Sequence, residues 1–158
     1  MALNRSQIEE IEALALHEET IGDLYTAFAN RFPDDREFWA ELSDEEYAHA
    51  DWVRALAGRV EGGELTINEG RFSTKALENS MNYIKGWIKQ AESEEITLLY
   101  ALSIAKDIEN ALLDKNFFEV FEADSEDMAN VLNALIEASG EHRDRVLEKL
   151  DEVSNRNV

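Results

Sequence analysis

Apolar or small residues at Ile8, Ile11, Ala15, Gly22, Tyr25, Ala29 and Phe32 fall in steps of three and four, the spacing that lines one face of an α-helix. This pattern predicts a first helix from about Ser6 to Phe32. Its inward face is interrupted only by Glu18, between Ala15 and Gly22. Pro33, Asp34 and Asp35 then supply a break and an acidic first turn, so a second helix begins there and runs to about Val60, stopped by Gly62-Gly63. Trp39, Leu42, Glu46, His49, Val53, Leu56 and Val60 form its inward stripe. Two polar residues one turn apart therefore occupy core positions.

From Gly62 to Phe72 the helical period disappears and three glycines occur. Ser73 is placed to cap a shorter helical segment carrying Leu77, Met81, Ile84 and Ile88. This is a long crossover with its own short helix, and it allows the next long helix to run parallel to the second. That third long helix is expected from about Ser93, where Ser93-Glu94-Glu95 reads as a cap and acidic turn, to about Phe121. Leu98, Leu102, Ala105, Glu109, Leu112 and Asn116 form its stripe. A fourth, capped near Asp124 or Ser125, carries Met128, Leu132, Leu135, Ser139, His142, Val146 and Leu150. Glu109 and His142 are the polar anomalies in this half.

Composition agrees with an all-α reading. The 158 residues include one proline and seven glycines, and good helix formers recur throughout. A chain of this size forms one domain with one core. The net charge of −20 repels nucleic-acid phosphates and anionic lipid heads and attracts cations. No cysteine is present, so disulfides, thiol catalysis and thiolate metal sites are excluded. The start, MALNRSQIEEIEAL, lacks a basic segment followed by an apolar one, and no apolar run approaches the roughly 20 residues that cross a bilayer. A cytoplasmic protein is the expectation.

Glu18, Glu46, His49, Glu109 and His142 are thus ionisable groups in mid-helix core positions on four predicted helices. A buried carboxylate with no partner costs several kcal/mol or shifts its pKa, and a cation is the economical compensation. Oxygen and nitrogen donors suit iron or manganese, with zinc as a further candidate. The spacing of three puts Glu46 and His49 on one helical face. Glu18 with Glu46-x-x-His49 in the first half is echoed by Glu109 with Ser139-x-x-His142 in the second, which predicts a pseudo-two-fold site at the centre of the helices. His17 adjoins Glu18 but should face a neighbouring helix or solvent, and it is assigned no ligand role.

The segment from His17 to Ala29, with Glu18 followed seven residues later by Tyr25, resembles the first helix of rubrerythrin-like di-iron proteins of the ferritin-like superfamily. Asp44-Glu45-Glu46-Tyr47-Ala48-His49-Ala50 resembles their Glu-x-x-His-Ala element. The resemblance implies a ferritin-like four-helix bundle holding two iron ions. In it Glu18 and Glu109 are terminal carboxylates, Glu46 is a bridging carboxylate, His49 and His142 give one imidazole to each metal, and Tyr25 is a hydrogen-bonding group behind the ligands. It also implies ferroxidase or peroxide-reducing chemistry with oxygen or hydrogen peroxide, and a homodimer, for which Trp87, Phe117, Phe118 and Phe121 are candidate contact residues.

Two departures matter. The family's second Glu-x-x-His element would put glutamate at 139, where this chain has Ser139. Glu137 and Glu141 are two residues away, roughly 200° around the helix, and cannot replace it without a helix distortion. The Cys-ligated rubredoxin-like module that feeds electrons to rubrerythrins is also absent, so turnover requires electrons from iron itself or from a separate donor. Iron storage or delivery without turnover, and a metal-free structural bundle, therefore stand as alternatives.

Overall fold

The structure, a computed structural model, describes residues 5–61, 65–67, 74–93, 96–115, 121–123 and 126–156. These residues are helical apart from a 3-10 turn at Pro33–Asp35, two three-residue strands and the connecting residues Phe32, Ser93, Ile96 and Thr97. In chain order the elements are α1 (Arg5–Arg31), α2 (Arg36–Glu61), β1 (Leu65–Ile67), α3 (Thr74–Glu92), α4 (Leu98–Lys115), β2 (Phe121–Ala123) and α5 (Glu126–Arg156). No described helix is long and apolar enough to cross a membrane.

The turn at Pro33–Asp35 reverses the chain, and α2 runs antiparallel to α1. Their contacts follow that order. Arg54 pairs with Glu12 and Glu19, Tyr47 donates to Asp23, and Ser43 meets Thr26 at 2.6 Å. Gly22 sets how closely the two helices approach, because a Cβ there would lie 2.9 Å from Cε1 of Tyr47. Ser43 Oγ also donates to the Gly22 carbonyl at 2.9 Å. Below this contact, Tyr25, Phe28 and Trp39 are fully buried, with Phe28 and Trp39 ring centroids 4.8 Å apart.

The helix α3 lies against α1 and buries Leu77, Met81, Ile84 and Ala91. The helices α4 and α5 pack on each other. Ion pairs join α5 to the turn between the first two helices, from Lys149 to Asp35 at 2.9 Å, and to α2, from Arg145 to Glu45. All five helices contribute to one apolar core.

The inward stripes of α1 and α2 are buried where their side chains are described, except that Ile8 is exposed and Phe32 is only partly covered. Several boundaries differ from the sequence reading. The crossover helix is not short, since α3 spans 19 residues. The third long helix starts at Leu98 rather than Ser93. Ser93 Oγ donates back to the Gln90 carbonyl at 2.8 Å, closing α3, while Thr97 Oγ1 accepts the Tyr100 amide at 3.2 Å and caps α4. The described span of that helix reaches Lys115, and Phe121, expected at its end, lies instead in the strand Phe121–Ala123, which pairs antiparallel with Leu65–Ile67. A ladder partner so distant in sequence leaves no trace in helical periodicity. Trp87, a candidate dimer contact, is half-buried, and its ring neighbours are Tyr83 and Tyr100. Ser73, Asn116, Phe117, Phe118, Asp124 and Ser125 lie outside the described residues, as do the side chains of Leu112, Phe121, Met128, Leu132 and Leu135.

The reassigned α4 start is testable. Thr97→Ala should lower stability in urea unfolding by about 1 kcal/mol through loss of the cap. Ser93→Ala should stay within about 0.5 kcal/mol; equal losses would contradict the assignment.

Candidate metal centre

Four helices each contribute to one buried polar cluster. Glu18 comes from α1, Glu46 and His49 from successive turns of α2, Glu109 from α4 and His142 from α5. Their residual exposures are 6% or less, and Glu109 has none. His142 Nδ1 lies 2.7 Å from Glu46 Oε1 and 3.6 Å from Glu109 Oε1. His49 Nδ1 lies 3.7 Å from Glu46 Oε2, too far for a hydrogen bond. Glu18 is hydrogen-bonded to Glu46. The histidine rings stack at 5.0 Å between centroids. All five residues singled out in the sequence are therefore brought together.

Around the cluster, three further groups fix its geometry. Tyr25 donates to Glu109 Oε1 at 2.7 Å. Glu45 contacts His142 Nε2 at 2.7 Å and pairs with Arg145 at the surface. Sequence reasoning missed Glu45. Its signal was the acidic residue next to Glu46, about 100° further round the helix, with Arg145 three positions beyond His142. His17 is buried outside the cluster and meets Ser80 Oγ of α3 at 2.8 Å.

Burial dominates the electrostatics. Desolvation pushes Glu18 well above the usual carboxylate range, and the nearby Glu46 and Glu109 push it further. Burial and the Glu46 charge raise Glu109 to about 7, despite opposing contributions from His142 and Tyr25. For Glu46, hydrogen bonds from Glu18 and His142 outweigh desolvation and hold the carboxylate below its ordinary range. Desolvation would lower His142, but the Glu109 and Glu46 carboxylates outweigh it and raise the imidazole to about 10. Burial, followed by the charges of Glu109 and Glu46, keeps the Tyr25 phenol protonated and hence a donor.

The cluster does not satisfy itself. Glu18 Oε2, Glu46 Oε2, His49 Nδ1 and Glu109 Oε2 are buried without a hydrogen-bond partner. Each such atom forfeits about 1–3 kcal/mol, and more when charged. Glu46, His49 and His142 each present a ligand atom, and these atoms lie within 4.8 Å of one another. This group could hold a metal ion, and its oxygen and nitrogen donors fit a hard or borderline divalent cation.

No known family model, curated protein or solved structure matches this chain. The site's meaning is therefore carried by its own geometry.

For the metal-stripped protein, raised His142 and Glu109 values mean that the folded state binds more protons than the unfolded chain. Its stability should fall as pH rises from about 4.5 towards 7 through Glu109, and from about 6.5 towards 10 through His142. Denaturant titrations of chelator-treated protein should show lower stability at pH 9 than at pH 6. His142→Gln should flatten the alkaline part of that fall, and an unchanged slope would contradict the assignment.

Proposed function

We propose that this chain is an iron-binding protein of the ferritin-like, rubrerythrin-like kind, in which α1, α2, α4 and α5 form a four-helix bundle around the Glu/His cluster and α3 is the crossover helix. The observation that carries this reading is the convergence of four unpartnered buried donor atoms, from three different helices, on one cluster. A metal-free core would leave those atoms uncompensated, whereas a cation coordinates them.

Iron held there would supply electron exchange with oxygen or peroxide, which none of these side chains can perform. The chain's own groups do the rest. Glu45 orients His142 so that Nδ1 faces the cluster, the arrangement by which an outer carboxylate fixes a ligating histidine. Tyr25 holds one oxygen of Glu109 and leaves the other free. Burial among four helices excludes bulk water, and the charge of −20 favours cation approach. A second reading, iron carriage without turnover, is favoured by Ser139, which supplies no bridging carboxylate where glutamate would. Repeated peroxide consumption with an added reductant distinguishes the first reading from the second.

Protein purified without chelator should contain iron by plasma emission spectrometry. Glu46→Ala and His142→Ala should lose that iron, and chelation should lower the melting temperature of the wild type. No metal even after anaerobic ferrous loading would sink this reading. Glu45→Gln should weaken ferrous binding about 10–100-fold, measured by competition with a chromogenic chelator.

A further inference from the structure

The resemblance to di-iron proteins implies one imidazole for each of two metals, but the donors here are disposed otherwise. Both imidazoles and the Glu46 carboxylate place ligand atoms within a single sphere, no two more than 4.8 Å apart. A cation bound at about 2.0–2.2 Å from each donor spans roughly 4.4 Å between opposite ligands, so one ion takes all three once the widest separation closes by a few tenths of an ångström and the 2.7 Å contact of His142 Nδ1 with Glu46 Oε1 opens. His49 and His142 stack face to face, with centroids 5.0 Å apart and rings inclined by 28°, so the two imidazoles are immediate neighbours.

The remaining groups point the same way. Two divalent cations about 3.5–4 Å apart are stabilised by carboxylates that bridge them, and Glu46 alone would supply such a bridge here. From α5 the bridging position is Ser139, buried one turn before His142 and neutral. Two such cations would bring four positive charges against the carboxylates of Glu18, Glu46 and Glu109, leaving an excess charge in a buried site. One cation needs fewer. Glu18 can then keep its hydrogen bond to Glu46, while Glu109, tethered by Tyr25, still offers Oε2.

We infer that the centre takes one divalent cation per chain, on Glu46, His49 and His142, with Glu109 Oε2 as the adjoining oxygen. This rests on the proposed metal-binding reading and changes what that site is. Two histidines and one carboxylate on a single ion leave coordination positions for water or a small oxygen ligand.

The full-length chain, stripped with chelator, should be titrated anaerobically with ferrous ion and read by native mass spectrometry. Binding should saturate at one ion per chain. His49→Ala and His142→Ala should each weaken it at least tenfold, because one ion uses both rings. On the wild type, Mn(II) loading should give the paramagnetic resonance spectrum of an isolated ion at saturation, a readout independent of how well any variant folds. Two ions per chain, a spin-coupled Mn(II) pair, or a His49→Ala variant binding as tightly as wild type would overturn the single-ion inference while leaving metal binding intact. No ion bound under any loading would instead remove the metal-binding reading and this inference with it.

Discussion

Three glutamates of the cluster sit where water cannot reach them, and the arrangement of the surrounding helices answers to that constraint. A carboxylate removed from water loses several kcal/mol of solvation, which neighbouring groups must return. Glu46 is held anionic by donors from Glu18 and His142, whereas Glu18 and Glu109 are driven towards their neutral forms. The hydrogen bonds alone leave buried oxygens and a ring nitrogen without partners. Such a half-satisfied network is weaker than an apolar core of the same volume would be. Selection for stability alone does not account for it, whereas a cation bound there would.

The fold places these groups without using loops. Gly22 lets α1 and α2 approach closely, and the aromatic layer of Tyr25, Phe28 and Trp39 packs just below. Tyr25 belongs to both systems, with its ring against Trp39 at 5.6 Å and its hydroxyl on Glu109. Packing therefore fixes the tyrosine, and the tyrosine fixes the carboxylate. On the opposite side, Arg145 holds Glu45, and Glu45 holds His142. Donor atoms on regular helices, braced from behind, hold their relative positions better than donors on loops.

Much of this was legible in the sequence because helical period and burial are directly linked. An acidic residue or histidine on an otherwise apolar stripe must be buried, which exposed Glu18, Glu46, His49, Glu109 and His142 together. Less legible were features that depend on distant partners. The strand at Phe121–Ala123 exists through pairing with Leu65–Ile67. Ser93 looked like a helix start but closes the preceding helix, because Thr97, with no flanking acidic residue to advertise it, supplies the cap. Glu45 was hidden among the abundant surface acids, and only the position of α5 opposite α2 gives it a partner. The disposition of both imidazoles around one carboxylate was likewise invisible to spacing, which places residues on a face but does not orient rings.

The most direct test of a cation at this cluster is anomalous X-ray scattering from a crystal loaded with ferrous ion and recorded at the iron edge. The account predicts an anomalous peak among Glu46, His49 and His142, within about 2.0–2.2 Å of the donor atoms. It also predicts that the short contact between His142 Nδ1 and Glu46 Oε1 opens to admit the ion. Anomalous density confined to surface carboxylates, with that contact still closed at 2.7 Å, would contradict it.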